Sequence, residues 1–371
     1  MKLNALFYSA ACLALVALTH CSEKLSVNKS ETTNLSQEKK GLQDYYKDYF
    51  TIGVAVSPRE LKTDAAMLVA EQFGSVTPEN AMKMGPIHPK ENEYAWADAD
   101  TIVAFAKRNK MKMRGHTLVW HSQTPAWLFK NANGDTVSKA VLLQRMKDHI
   151  TTVVNRYKGS IYAWDVVNEA IDDNNEKYLR NTAFLRICGD EFIAKAFEYA
   201  HAADPKAILF YNDYNTEIPG KRDRIYKLVK SLKDAGVPIH GVGLQGHWSV
   251  NNPSREELEK SIKMFASLGL QVQVTELDVS VYTGRQGGQL ISGQRRDTTA
   301  TFTAEMEQQQ LEKYKMMFEV FRENKKDLTG ITFWNISDRY SWLDGRGRKN
   351  FPLLFDKNLQ PKKAYWEVVK F

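Results

Sequence analysis

Residues 161–171, I-Y-A-W-D-V-V-N-E-A-I, have the pattern of a short buried strand that ends in polar residues. Aromatic and β-branched side chains favour an extended conformation here. Asn168 and Glu169 follow where the strand should stop. A buried carboxylate is unfavourable without a partner or a task. Glu169 is therefore either a structural residue, paired with a cation or capping a helix, or one member of a catalytic pair, and a second carboxylate in the same setting would favour catalysis.

Seven further strands are predicted, with amphipathic helices between most of them. The eight predicted strands are 50–56, 75–78, 112–120, 162–168, 207–212, 241–246, 271–277 and 330–336. The main predicted helices are 64–73, 141–157, 191–202, 222–235, 254–268 and 305–323. This alternation, in a chain of 371 residues, predicts an α/β fold, a (β/α)8 TIM barrel with a single catalytic domain. The alternative, an open doubly wound sheet, lacks a G-x-G-x-x-G after its first strand.

The first 20 residues have the pattern of an export signal, with Lys2 ahead of an apolar run. The run is shorter than the ~20 apolar residues that span a bilayer. Leu18-Thr19-His20-Cys21 resembles a lipoprotein cleavage box, so we expect residues 1–20 to be a lipoprotein signal peptide and Cys21 to be lipidated. His20 departs from the usual small residue, which leaves ordinary cleavage and secretion as the alternative.

Residues 21–43 are polar and predict a flexible tether, and 44–371 form the predicted catalytic domain. The protein is thus expected to be exported and anchored to a membrane, in the periplasm or at the cell surface. Cys188 is the only cysteine in the predicted domain, which excludes an internal disulfide there. Its helical, apolar context indicates a buried small hydrophobe rather than a catalytic thiol.

Composition excludes some classes of function. The net charge is +7, but basic and acidic residues are interspersed and no nucleic-acid motif occurs, so we expect no nucleic-acid partner. His116 and His121 differ by an odd number and should face opposite ways on a continuous strand. No H-E-x-x-H occurs either, so neither a metal nor another cofactor is expected. A serine hydrolase lacks support because there is no G-x-S-x-G.

The predicted seventh strand supplies the second carboxylate. Val272, Val274, Glu276 and Asp278 share one face, which changes from apolar to acidic near the strand end. The carboxyl ends of barrel strands meet at one rim, where Glu169 and Glu276 can approach each other. Paired carboxylates, one protonated and one ionised, are what acid–base hydrolysis of a glycosidic bond requires.

Residues around these ends suit a sugar-binding cleft. Aromatic faces that can stack on pyranose rings are offered by Trp120, Trp127, Trp248, Trp334 and Trp342. Partners for sugar hydroxyls are offered by Asn80, Lys83, His116 and Gln245. His247 is either a satisfied core histidine or a partner that sets the charge of a carboxylate.

Six motifs carry a family resemblance. They are T-P-E-N-A-M-K, R-G-H-T-L-V-W-H-S-Q, W-D-V-V-N-E-A, F-Y-N-D-Y-N, G-L-Q-G-H and V-T-E-L-D-V. Together, from about residue 44 to the end, they resemble glycoside hydrolase family 10, the (β/α)8 endo-β-1,4-xylanases. The resemblance implies that Glu169 is the acid/base and Glu276 the nucleophile of a retaining mechanism.

The same resemblance implies the substrate contacts. Glu79, Asn80 and Lys83 would hold the sugar on the non-reducing side of the cut. The cleaved sugar would be surrounded by His116, Trp120, Asn168, Gln245, His247, Trp334 and Trp342. Gln123 and Tyr214 would lie nearer the cut or on the leaving side. Residues 282–298, rich in Gly and Arg, are interpreted as a mobile loop over the cleft or as a loop without substrate contact.

The expected activity is therefore a retaining endo-1,4-β-xylanase that binds xylan and xylo-oligosaccharides, as a monomer and without a cofactor. A β-1,4-glucan or mixed-linkage glycanase of the same mechanism is the first alternative. A non-catalytic surface protein that binds polysaccharide is the second, disfavoured by the presence of both carboxylates.

Overall fold

The computed structural model of the chain describes residues 40–282, 301–346 and 349–371. Within them the strands are β1 (Thr51–Val56), β2 (Ser75–Pro78), β3 (Lys112–Trp120), β4 (Ala163–Asn168), β5 (Ile208–Asp213), β6 (Gly241–Leu244), β7 (His247–Ser249), β8 (Gln271–Ser280) and β9 (Leu328–Phe333). The helices are α1 (Leu42–Tyr46), α2 (Ala65–Gln72), α3 (Met84–Ile87), α4 (Ala97–Arg108), α5 (Lys139–Tyr157), α6 (Ala183–Cys188), α7 (Glu191–Ala203), α8 (Pro219–Asp234), α9 (Arg255–Ala266), α10 (Ala304–Glu323) and α11 (Lys363–Val368). None of the helices in these ranges combines the length and hydrophobicity needed to cross a bilayer.

Eight of the strands close a parallel barrel. The hydrogen-bonded order runs from β1 through β2, β3, β4, β5 and β6 to β8 and β9, and β9 pairs with β1 again. The predicted (β/α)8 TIM barrel is confirmed. Strand β7 lies outside this ring and pairs with the far end of β8, where His247 is opposite Asp278. This pairing places His247 next to the carboxyl end of β8.

The helices cover the barrel with one apolar face each. In α5 the buried residues include Leu142, Met146, Ile150 and Val153, which recur every three or four positions. Ser138 caps this helix, since its hydroxyl accepts a hydrogen bond from the backbone N–H of Val141. Each large apolar side chain buried in this way contributes about 1.5–3 kcal/mol.

Between β3 and β4, Gly115 makes room for a neighbouring indole. A Cβ at this position would lie 2.1 Å from the Trp164 ring, so only glycine allows β3 and β4 to pack here. Trp164 is 1% exposed. The glycine of the R-G-H motif is therefore required by core packing.

The predicted element bounds differ from the observed ones mainly at their ends. Strands 75–78 and 112–120 agree at both ends, whereas β8 continues three residues beyond the predicted 277. Helix α4 lies between β2 and β3, where no helix was predicted. The compact unit Lys40–Phe371 includes residues 40–43, which precede the predicted start of the domain at residue 44. Leu42 is fully buried and its backbone N–H donates to Gln72 Oε1, so these residues belong to the barrel and not to a tether.

Candidate active site

Glu169 lies immediately after β4 at the carboxyl end of the barrel. Its φ of 58° is left-handed, so the chain turns there and the side chain stays over the rim. Trp120 Nε1 donates to Glu169 Oε2 at 2.8 Å, and Gln245 Nε2 donates to Oε1 at 2.9 Å. The side chain is 12% exposed. Asn168 Nδ2 also donates to Oε1, at 3.3 Å, so Glu169 is held by three donors and is still accessible to a substrate.

Glu276 lies within β8 and is more deeply buried, at 5% exposure. Asn212 Nδ2 donates to its Oε1 at 2.8 Å, and His247 Nε2 lies 3.2 Å from its Oε2. Gly243 leaves space for the Asn212 amide, because a Cβ there would meet Asn212 Oδ1 at 2.2 Å. Thr275 Oγ1 donates to that same oxygen at 2.6 Å and fixes the amide orientation. One oxygen of Glu276 therefore faces a neutral amide and the other a histidine.

The charge of Glu276 is set by its neighbours. Burial alone would raise the pKa of Glu276, but the electrostatic interaction with His116 and the hydrogen bond from His247 lower it below its ordinary value. Burial would also lower the pKa of His247, but the Asp278 carboxylate, 2.8 Å from Nδ1, and the bond to Glu276 raise it to about 10. At neutral pH, therefore, His247 is protonated and Glu276 is ionised.

The side chain amides of three residues connect the two carboxylates. Asn168 Oδ1 accepts from Asn212 Nδ2 at 2.9 Å and from Gln245 Nε2 at 3.2 Å. Since Asn212 also bonds Glu276 and Gln245 also bonds Glu169, a single hydrogen-bond network contains both acids. The structure thus brings together the ends of β4 and β8, as the sequence predicts.

Beneath this network lies a buried ion cluster. Arg114 forms two hydrogen bonds with Asp165, at 2.8 and 3.2 Å, and His116 Nδ1 lies 3.0 Å from the same carboxylate. Burial opposes ionisation of Asp165, but Arg114 and His116 lower its pKa below the ordinary value. His116 Nδ1 is also 4.0 Å from Glu276 Oε1. The cluster fixes the His116 ring beside the buried acid.

Glu79, Asn80 and Lys83 follow β2 on the same rim. Lys83 Nζ donates to Asn80 Oδ1 at 2.9 Å and lies 4.9 Å from the centre of the Trp120 ring. Burial lowers the pKa of Lys83, and the charges of Glu276 and other acids oppose that shift. Burial raises the pKa of Glu79, against the charge of Lys83. These groups meet at one side of the carboxylate pair.

Two tryptophans close the other side of Glu276. The Trp342 ring lies 4.7 Å from the His247 ring, and its Nε1 donates to Asp278 at 2.7 Å. Trp334 packs edge-on against His116, with ring centres 5.2 Å apart. Both indoles are thus held against the histidines that contact Glu276.

Trp248, which was predicted to stack on a sugar ring, points away from the site. It is 2% exposed and packs against Phe321 of α10. Side chains alternate along β7, so His247 faces Glu276 and Trp248 the helix layer. Trp127 likewise bonds elsewhere, since its Nε1 donates to the carbonyl of His88. The expectation that Trp248 offers a face to sugar is wrong.

Tyr214 lies on the side of Glu169, whereas Gln123, which follows β3, lies next to the segment that contains Lys83. Gln123 is exposed, and its backbone carbonyl accepts from the N–H of Gly85 at 2.7 Å. The Tyr214 hydroxyl donates to Asp173 and accepts from Arg180 Nη2 at 2.8 Å. Tyr214 is thus joined through Arg180 to the segment that carries Glu169.

Several contacts were not anticipated. Asn212 holds Glu276, and Arg180 Nε donates at 3.1 Å to the backbone carbonyl of Glu169. The N-D-Y-N motif at the end of β5 contains Asn212, so this residue had a sequence signal. Arg180 had no such sequence signal, because it lies in an irregular segment between β4 and α6.

The prediction that the side chains of His116 and His121 face opposite ways is wrong. His121 Nε2 lies 4.0 Å from Glu169 Oε2, so both histidines approach the acids. The β3–β4 register shifts between His116 and Val119, and β3 ends at Trp120, so simple alternation does not reach His121. Burial, then the charge of Arg180, lower the pKa of His121 to about 4, which leaves it neutral beside Glu169 at neutral pH.

No group of three or more His, Cys, Asp or Glu side chains with metal-binding geometry occurs in residues 40–282, 301–346 and 349–371. Cys188 is buried, and burial raises its pKa to about 11, which keeps it a thiol. The predicted signal peptide, Cys21 and most of the loop at 282–298 lie outside the described residues.

Comparison with known proteins gives one consistent result. A sequence model of glycosyl hydrolase family 10 matches residues 41–371. Endo-1,4-beta-xylanase B of Paenibacillus barcinonensis is 48% identical over 338 residues, covering 90% of this chain and 99% of that protein. Beta-1,4-xylanase of Dictyoglomus thermophilum is 50% identical over 345 residues, covering 91% and 94%.

Solved structures agree with the sequence relatives. The crystal structure of xylanase XynB from Paenibacillus barcinonensis with a conduramine derivative superposes with a TM-score of 0.85 at 48% identity, covering 90% of this chain and 99% of that chain. A structure in complex with xylotriose has a TM-score of 0.85 at 41% identity, covering 89% and 99%.

Proposed function

This chain belongs to glycosyl hydrolase family 10, and from that premise we propose that it is a retaining endo-1,4-β-xylanase. The observation that carries the proposal is the single hydrogen-bond network that contains both Glu169 and Glu276. A retaining mechanism needs two carboxyl groups about 5–5.5 Å apart, with different protonation states. The hydrogen bonds through the Asn168 amide support the proximity of the two carboxyl groups. The lowered pKa of Glu276 supports its role as the ionised carboxylate of the pair.

In the first step an oxygen of Glu276 attacks the anomeric carbon of an internal xylose unit. The bond from that carbon to the bridging oxygen breaks, and the electron pair leaves with the oxygen. Glu169 donates its proton to this oxygen, so the leaving chain departs as an alcohol. The product is a glycosyl ester on Glu276 and an ionised Glu169.

In the second step Glu169 takes a proton from a water molecule, whose oxygen attacks the same carbon. The ester bond breaks, Glu276 regains its negative charge, and Glu169 is again protonated. Two inversions give net retention. During both steps Asn168 is the proposed partner of the sugar 2-hydroxyl, where contacts strengthen in the transition state.

The remaining rim residues are proposed to bind the xylan chain. Glu79, Asn80 and Lys83 contact the sugar on the non-reducing side, and Lys83 lies over the ring of Trp120, which bonds Glu169. The unit being cleaved is surrounded by His116, Trp120, Asn168, Gln245, His247, Trp334 and Trp342. Gln123 and Tyr214 contact the substrate nearer the cut or on the leaving side.

Preference for xylose over glucose is proposed to be steric. The Trp342 indole is fixed by Asp278 and His247, and Trp334 by His116, so neither ring turns aside easily. Both rings would crowd a hydroxymethyl group, which glucose carries and xylose lacks. The names of the relatives also favour xylan over β-1,4-glucan.

The test is covalent trapping followed by peptide mapping. A 2-fluoro-xylobioside with a good leaving group should label Glu276, and the Glu276→Gln variant should remain unlabelled. Proton NMR of early products from xylohexaose should show the β-anomer first. Label on another residue, α-anomer first, or faster cleavage of carboxymethylcellulose than of xylan would each refute the corresponding part of the proposal.

We also propose that the protein is exported as a lipid-anchored monomer, with residues 1–20 removed and Cys21 modified. The sequence pattern ahead of the barrel supports this. In a bacterial host, mass spectrometry of the mature N-terminus should find a diacylglyceryl group on Cys21, and Cys21→Ala should release the enzyme from membranes. An unmodified N-terminus after ordinary cleavage would favour secretion. Light scattering of detergent-free Cys21→Ala protein should give the mass of one chain.

A further inference from the structure

A second concavity, the basal pocket, lies at the amino ends of the barrel strands. Its volume is about 350 Å³. Thr51 begins β1, Lys112 begins β3 and Thr329 lies at the start of β9, and all three line it. Strand β3 alone has nine residues, or roughly 30 Å at ~3.3 Å per residue. A single sugar unit therefore cannot occupy both this pocket and the catalytic cleft.

The lining carries cations without matching anions. Lys47, Lys112 and Lys325 contribute to the wall, and no Asp or Glu does. Within the described residues none of these three ammonium groups has a carboxylate oxygen within 4.0 Å. Other lysines are paired, such as Lys362, which lies 3.0 Å from Asp338. The basal pocket therefore has a local positive charge that a bound anion would neutralise.

The pocket also has groups that suit a pyranose ring. Tyr49 is half-buried and forms part of the wall, with Lys325 Nζ 4.6 Å from its ring centre. Lys112 Nζ donates to Thr51 Oγ1 at 3.3 Å, which leaves the hydroxyl hydrogen free to donate to a ligand. A tyrosine ring beside hydroxyls and cations is a combination that sugars with an acidic group can use.

We propose that the basal pocket binds a carboxylate-bearing sugar unit of an acidic polysaccharide, on a chain segment other than the one in the cleft. The proposal rests on the proposed xylanase function, since it names uronic-acid-substituted xylan as the polymer held. The concave shape and the aromatic wall favour a sugar unit over a flat lipid surface. Holding a second segment would keep the enzyme on charged polymer between cuts.

The test compares polymer binding of matched variants in the full chain. All proteins carry Glu276→Gln so that the polymer stays intact. The pocket variant adds Lys47→Ala, Lys112→Ala and Lys325→Ala. The control variant adds Lys107→Ala, Lys206→Ala and Lys260→Ala, three exposed lysines that do not line the pocket, and so has the same net charge. Affinity gel electrophoresis is run on glucuronoxylan and on the same polymer after carboxyl reduction.

We expect the pocket variant to bind glucuronoxylan about tenfold more weakly at low salt, and the control variant to bind as the parent does. On the carboxyl-reduced polymer all three should bind equally. Equal binding of the parent to both polymers, or equal losses in the two lysine variants, would overturn the proposal. A third outcome would also overturn it: vesicles of anionic phosphatidylglycerol bind the parent but not the pocket variant, while both proteins bind the polymer equally. In that case the ligand of the pocket would be a membrane surface.

A separate activity assay distinguishes this proposal from the proposed function. With Glu276 restored, the pocket variant should cleave neutral xylohexaose at the parent rate. Failure of the parent to cleave xylohexaose would refute the xylanase proposal and would leave the binding comparison valid for the pocket itself.

Discussion

Replacing His247 by asparagine should move the acid limb of the pH–rate profile to higher pH. His247 is protonated, with a pKa of about 10, and its Nε2 donates to Glu276 at 3.2 Å. Both effects help to lower the pKa of Glu276. Asparagine removes the positive charge and leaves the Asp278 carboxylate without its cation, 2.8 Å from the lost Nδ1. Each change disfavours the ionised form of Glu276, so the pKa of Glu276 must rise.

The size of the shift follows from the lost interaction. A hydrogen bond to a charged group contributes about 1.5–3 kcal/mol, and the neutral amide of asparagine restores at most about half of that energy. The net loss is then about 1–2 kcal/mol, and one pKa unit corresponds to about 1.4 kcal/mol. We therefore expect the acid limb of kcat/KM, which reports the free enzyme, to move up by about one pH unit.

The assay is kcat/KM on an aryl xylobioside from pH 3 to pH 9. The double variant His247→Asn with Asp278→Asn removes the stranded carboxylate as well, so its limb should lie between those of the parent and the single variant. His240→Asn, a change at the opposite end of the barrel where Nδ1 accepts from the N–H of Leu209, serves as the folding control and should not move the limb. An acid limb that stays in place, or moves to lower pH, in His247→Asn would refute the proposed electrostatic role.

Three further predictions concern other residues. Glu169→Ala should lower xylan hydrolysis by about 10²–10⁴-fold and hydrolysis of a dinitrophenyl xylobioside far less, because that leaving group needs no proton; equal losses on both would contradict the acid role. Arg180→Ala should lower kcat about tenfold with little change in KM, because the backbone of Glu169 loses its hydrogen bond from Arg180. Arg186→Ala, whose guanidinium bonds Asn181, should have no effect, and equal losses of kcat in the two variants would argue against a positioning role for Arg180. His149 is buried, with its pKa lowered by burial and by His88 from 6.5 to about 3, so the unfolded state gains a proton first as pH falls below 6.5. The free energy of unfolding should then fall by about 1.4 kcal/mol per pH unit through this group, and urea titrations of His149→Asn should show a shallower acid slope than the parent.

Periodicity within the sequence determined the barrel and the location of the site. Alternating strand and helix patterns depend on local spacing, and the carboxyl ends of parallel strands meet at one rim in any closed β/α barrel. Glu169 and Glu276 could therefore be paired from sequence, although they are far apart along the chain. The structure confirms that they share one hydrogen-bond network.

Only the tertiary structure decided which side chains complete that network. A register shift in β3 brings His121 beside Glu169, against the prediction from strand alternation. The short strand β7 turns His247 toward Glu276 and buries Trp248 against α10. Register shifts and extra rim strands result from packing between segments distant in sequence. A sequence pattern records the period of a strand, whereas the orientation of each side chain near its end depends on the neighbours that the closed barrel supplies.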